Sequence, residues 1–154
     1  MPIASAAPHQ SWATRQPRLS PDVDRTGREV QVPSVLVVDD DPGVRLLTAR
    51  MLRLEGYNVL EAGSGSEALR VLDTASDIHL VVTDIVMPGM HGLDLARRVL
   101  SRSRSPHVVL MTGHAAELSA QLEQQEPRLP LLLKPFTAEQ LLRTVRRVLH
   151  HERH

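Results

Sequence analysis

From Ser34 onward, short apolar runs alternate with stretches in which apolar residues recur every three or four positions. The runs fall at residues 35–38, 57–60, 80–82, 108–111 and 131–133. Each is brief, rich in Val and Leu, and largely unbroken by polar residues, which predicts parallel strands covered on both faces. Between them, helical spacing is carried by Val44, Leu47, Met51 and Leu52, then by Ala68, Leu72 and Ala75. Leu93, Ala96, Val99 and Leu100 mark a third helix, and Leu141, Val145, Val148 and Leu149 a last one. Residues 115–125 (Ala115, Leu118, Leu122) carry a weaker, more polar pattern that ends before Pro127.

Local punctuation agrees. Asp41-Pro42 sets an N-cap acceptor before a proline at the first helical position. Gly56 closes the first helix, Ser64 or Ser66 caps the second, and Thr137 with Gln140 has capping-box spacing. The expectation is five βα units forming an α/β, doubly wound parallel sheet over residues 34–150. Residues 1–33, with five prolines and no apolar periodicity, read as a disordered or extended tail, and residues 151–154 as a frayed C-terminus. No room is expected for a second folded domain.

Composition removes several function classes. Formal net charge is zero, so no bulk attraction to nucleic acid or anionic membrane is expected. There is no cysteine, hence no disulfide and no thiolate ligand or nucleophile, a composition compatible with a cytoplasmic setting. No run is long enough to cross a membrane, and no signal peptide is evident. One oddity points toward chemistry: the chain holds seventeen arginines but a single lysine, Lys134, at the end of the last apolar run. A compact ammonium on a flexible stem suits a small oxyanion where a planar guanidinium does not.

Ligands of open parallel sheets bind outside the carboxyl ends of the strands, so the residues ending each strand matter most. The first strand ends in Asp39-Asp40-Asp41, the third in Asp84, the fourth in Thr112 and the fifth in Lys134. Singly these read as a cap, a turn former, a strand residue and a surface charge. Together they set carboxylates, a hydroxyl and an ammonium on one rim. Clustered carboxylates repel unless a cation relieves them, and hard oxygen ligands favour Mg²⁺ (or Mn²⁺). Asp84 is then a natural nucleophile for an aspartyl phosphate, with Lys134 and Thr112 on the phosphoryl oxygens.

The four ordered segments 35–42, 81–92, 108–113 and 133–136 resemble the response-regulator receiver domain of two-component signalling (CheY-like). The resemblance implies a flavodoxin-like (βα)5 sheet with strand order 2-1-3-4-5. It implies Asp84 as phosphoacceptor and Asp39 and Asp40 as the acidic pair holding Mg²⁺, with Asp40 the more direct ligand. The backbone carbonyl of Val86 becomes a further ligand, Thr112 the switch hydroxyl and Lys134 the phosphate contact, with Pro135 cis. The partners implied are a sensor histidine kinase or a histidine phosphotransfer protein; with no output domain following, the expectation is a downstream protein bound through the face of residues 113–150 rather than a DNA-binding output. Such a domain catalyses only its own phosphorylation and dephosphorylation.

Departures from the family pattern shape these expectations. His91 replaces an Asp in the turn after the third strand. Leu131 stands where many receivers carry a Tyr or Phe that rotates on phosphorylation. Val86 and His114 occupy positions that tune acyl-phosphate hydrolysis, and an apolar Val86 cannot orient a water, so a long-lived phosphoryl group is expected. His150, His151 and His154 share helical spacing but have no acidic partner at matching spacing, and His79 and His107 are expected in loops. Two other classes fit less well. A haloacid-dehalogenase-like phosphatase shares Asp-x-Asp spacing but needs a cap domain and a late acidic pair. A phosphorylation-independent interaction domain has no use for the acid, Thr and Lys set.

Overall fold

The computed structural model describes residues 23, 25–75, 77–125 and 128–151. The chain falls into two compact units, Met1–Gln31 and Val32–His154. Most of the first, including most of the expected tail, lies outside the described residues. Within it, Val23 pairs with Glu29 in one antiparallel bridge, and Gly27 between them has φ 80°.

The second unit contains β1 (Ser34–Val38), α1 (Pro42–Leu54), β2 (Asn58–Ala62), α2 (Gly65–Thr74) and β3 (Ile78–Asp84). It continues through α3 (Gly92–Leu100), β4 (His107–Thr112), α4 (Ser119–Glu123), β5 (Leu131–Leu133) and α5 (Ala138–His150). All four strand pairings are parallel, and the strand order is β2-β1-β3-β4-β5, as expected.

The unbroken apolar runs are explained by a core on each face of the sheet. Leu36, Val38, Val81, Val108 and Leu110 face Ala68, Leu72, Leu95 and Val99 of α2 and α3. The alternate residues Val35, Val37, Leu80, Val82, Val109 and Met111 face Ala49, Leu52, Leu141 and Val145 of α1 and α5. Side chains leave a strand on alternate faces, so a strand covered on both reads as a near-continuous apolar run.

The caps form as the sequence indicates. Asp41 accepts from the N–H groups of Gly43 and Val44, Ser64 (not Ser66) caps α2, and Thr137 with Gln140 makes a complete capping box. Gly56 follows α1 with φ 101°, a left-handed turn that glycine adopts without steric cost.

Two expectations are corrected. His79 and His107 lie within β3 and β4, not in loops. The β1–β3 register skips His79, since Ser34 pairs with Ile78 and Val35 with Leu80. The displaced imidazole compensates by accepting the Ser34 N–H through Nδ1 at 3.1 Å.

The second correction is the inward face of α1. Leu47, read as core, is 55% exposed, while Thr48 and Ala49 are buried. Small residues let the helix lie close to the sheet, and Thr48 satisfies its hydroxyl by donating to the Val44 carbonyl at 2.8 Å. Leu141→Ala, in the α1/α5 core, is therefore expected to lower unfolding free energy by about 2–5 kcal/mol. Leu47→Ala should change it by about 0.5 kcal/mol or less. Denaturant titrations of the two variants check the difference.

Candidate functional site

Register alone gathers the chemistry at one rim. Val38 pairs with Thr83, so the residues that follow, Asp39 and Asp84, stand side by side. Thr112 pairs with Leu133, which delivers Lys134 to the same edge, and the Lys134 N–H donates to the Thr112 carbonyl at 2.9 Å. The Lys134–Pro135 peptide is cis.

Asp39 is fully buried, and Asp84 is 7% exposed. Lys134 Nζ lies 2.7 Å from Asp39 Oδ2 and 3.3 Å from Asp84 Oδ2. The other Asp39 oxygen accepts the Asp41 N–H at 3.0 Å, and the other Asp84 oxygen accepts the Ile85 N–H at 2.9 Å. Asp84 Oδ2 is thus the oxygen that faces the ammonium.

The ammonium is shared unequally, with electrostatic consequences. Burial pushes the Asp84 carboxyl above its ordinary value; Lys134 pulls it back, and Asp39 pushes it up further. For Lys134, burial favours the neutral amine, but the hydrogen bond to Asp39 and the charges of both acids outweigh it, so its pKa is raised. Asp40, exposed to solvent, completes the cluster: oxygen atoms of Asp39, Asp40 and Asp84 lie within 4.8 Å of one another. Three carboxylates against one ammonium leave negative charge in excess. That oxygen-only set, open to water through Asp40, fits a hard divalent cation.

The loops around the rim are tightly constrained. Thr112 is buried, and its Oγ1 accepts the His114 N–H at 2.9 Å, leaving its own proton to donate. After β3, Gly92 N–H donates to the Ile85 carbonyl at 2.7 Å, and a Cβ at Gly92 would stand 2.1 Å from the Asp84 carbonyl oxygen. Only glycine admits that approach. Val86 is 42% exposed beside the rim, and His114 is exposed. Leu131 is 37% exposed on the edge strand β5, next to a five-residue α4 whose only partly buried side chain packed on the core is Leu122, among the described residues. His91, where the turn departs from the expected acid, caps α3 by accepting the Leu93 N–H. His150 ends α5, His151 is exposed, and His154 lies outside the described residues.

Residue-by-residue reading of the sequence passed over two features. Arg45 donates to the Asp39 carbonyl at 2.8 Å; its placement one turn after the Asp41 cap was the available signal. Val44, Leu47, Thr48, Met51, Lys134, Pro135 and Phe136 line an apolar groove of about 290 Å³ beside the rim.

The profile of the family described as response regulator receiver domain matches residues 35–146. The chain belongs to this family. It is 33% identical over 120 residues to the sensor kinase CckA of Brucella abortus, covering 77% of this chain and 13% of that protein. It is 36% identical over 115 residues to the C4-dicarboxylate transport transcriptional regulatory protein DctD of Rhizobium meliloti, covering 75% of this chain and 25% of DctD. The receiver domain thus spans a small part of these longer relatives. Among solved structures, TrrA of Thermotoga maritima in complex with Mg²⁺-BeF superposes with a TM-score of 0.67 at 29% identity, covering 76% of this chain and 99% of that one. Among the described residues, no helix is long and apolar enough to cross a membrane.

The raised Asp84 pKa has a definite sign. Between the ordinary carboxylate value of 3.8 and the raised one, the folded state binds more protons than the unfolded, so stability falls as pH rises through that window. Without divalent cation, Asp84→Asn is therefore expected to unfold at a higher temperature than wild type at pH 7. The advantage should shrink as pH is lowered toward the ordinary carboxylate value, as thermal melts across pH would show.

Proposed function

We propose that the chain receives a phosphoryl group on Asp84 from a phosphohistidine of a sensor histidine kinase or phosphotransfer protein, in a Mg²⁺-dependent reaction. The observation that carries this reading is the pairing of Asp84 Oδ2 with Lys134 Nζ at 3.3 Å on a rim shared with Asp39 and Asp40. In the transfer, Oδ2 attacks phosphorus as the P–N bond to imidazole breaks; that nitrogen keeps the bonding pair, and the ring, already protonated on its other nitrogen, departs as neutral imidazole. Oδ1 stays on the Ile85 N–H, which fixes the rotamer of the attacking group. Lys134 moves its attention from Asp84 to a phosphoryl oxygen while keeping its shorter bond to Asp39, and Thr112 offers its hydroxyl proton to another.

Asp39, Asp40 and Asp84, with the Val86 carbonyl, would hold Mg²⁺ (or Mn²⁺). That ion supplies positive charge against the phosphoryl oxygens. The Mg²⁺-BeF complex named for TrrA supports this assignment by similarity.

The apolar groove between α1 and the loop before α5 supports docking of the donor, because Lys134 forms part of its wall and Leu46, Leu47 and Leu54 stand exposed on α1. Downstream, we assign the signal to a protein bound on the face of residues 113–150. There Leu131 and Leu133 are exposed on β5, Leu131 beside Leu122 and Glu123 of the short α4. A role without direct nucleic-acid or membrane contact agrees with the neutral charge, and a cytoplasmic setting with the absence of cysteine.

Incubation with acetyl phosphate and Mg²⁺ should add one phosphoryl group by intact mass, and none in Asp84→Asn or with chelator. An unmodified wild type, also with a competent kinase, would refute the reading, and steady turnover of a small phosphoester would favour a phosphatase. Val86→Asn should speed loss of the phosphoryl group by giving water a hydrogen-bonding partner. Slower loss in that variant would contradict the assignment of Val86.

A further inference from the structure

Four contacts pin Asp39, and three follow from the sheet and the rim. Its N–H donates to the Ala62 carbonyl at 3.2 Å, one carboxylate oxygen accepts the Asp41 N–H, and the other takes Lys134. The fourth comes from a side chain on α1: Arg45 Nη1 donates to the Asp39 carbonyl at 2.8 Å. That carbonyl belongs to the peptide joining Asp39 to Asp40, so whatever orients it also orients the backbone that carries the Asp40 carboxylate.

Arg45 is itself held in place, unlike a typical surface arginine. Its side chain is 23% exposed, and Nε lies 3.6 Å from Glu61 Oε1, while the other Glu61 oxygen is taken by Arg53 at 3.1 Å. Nη1 passes close over Gly63, where an added Cβ would stand 3.1 Å away. The Gly63 N–H donates to Glu67 Oε2 at 2.9 Å, which fixes the loop beneath the guanidinium. The fork is thus anchored on β2 at one end and applied to the Asp39–Asp40 peptide at the other.

We infer that Arg45 is a positioning residue for the metal site: it orients the Asp39–Asp40 peptide so that the exposed Asp40 carboxylate stands ready for a divalent cation. The inference rests on the proposed metal-holding role of Asp39, Asp40 and Asp84. The sign of the effect separates positioning from simple charge. A guanidinium near the rim repels a dication, so its removal would tighten Mg²⁺ binding if charge alone mattered. Loss of positioning loosens binding instead.

The test is calorimetric titration of the full chain with Mg²⁺, comparing wild type, Arg45→Gln, Arg45→Lys, Glu61→Gln and Asp40→Asn. Arg45→Gln is expected to weaken binding by about tenfold, in the range seen when a group that orients a metal ligand is lost. Arg45→Lys, which keeps the charge but not the fork, should also weaken it, and Glu61→Gln should do so by a smaller factor. A metal-free readout accompanies these: the Asp40 amide nitrogen resonance should shift in Arg45→Gln, because the carbonyl bonded to that nitrogen loses its donor. If Arg45→Gln does not fold by circular dichroism, Arg45→Lys and Glu61→Gln carry the test. Wild type that binds Mg²⁺ while the folded Arg45 variants bind it equally or more tightly would overturn the role of Arg45 and leave the metal site standing. Wild type that binds no Mg²⁺ would overturn both.

Discussion

Asp39 and Asp84 end neighbouring parallel strands whose register is fixed by a core on both faces, so the sheet itself presses two carboxylates together at its rim. Lys134 relieves that repulsion, but unequally: it is closer to Asp39 than to Asp84. Asp39 thereby holds the ammonium more closely, and Asp84 is left the undercompensated member of the pair. Its remaining need for positive charge is what a cation or a charge-neutralising reaction satisfies. Stability is spent at this point to leave one carboxylate poised.

Each wall of the site then has a definite task. The Ile85 N–H and the close approach of Gly92 hold the Asp84 turn. The Thr112–His114 turn presents a hydroxyl with a free proton. Arg45, anchored by Glu61, steadies the peptide before Asp40. Two exposed apolar features stand apart on the surface: the groove beside α1 opens at Lys134, while Leu131 at the edge of β5 lies next to the α4 segment. Leu131 places an aliphatic side chain at that edge.

Much of the architecture was legible because strands covered on both faces read as near-continuous apolar runs and because the caps at Asp41, Ser64 and Thr137 are local chemistry. Strand ends and their charges could be read for the same reason: an acid or lysine closing an apolar run has only the rim to occupy. What hydropathy could not show depended on distance between elements. The burial of Thr48 and Ala49 in place of Leu47 follows from how closely α1 approaches the sheet. The place of His79 in β3 follows from a register irregularity with β1. The contact of Arg45 with the Asp39 carbonyl is a side chain reaching a backbone atom, which no apolar spacing encodes.

Because Lys134 is the chain's sole lysine, lysine labelled with ¹³C at Cε reports the central interaction through a single side-chain resonance. In the metal-free protein its titration midpoint should lie above the ordinary value of 10.5 and fall in Asp84→Asn, where one of its two counter-charges is gone. A midpoint at or below the ordinary lysine value, unmoved by that substitution, would contradict the account of an ammonium shared between Asp39 and Asp84.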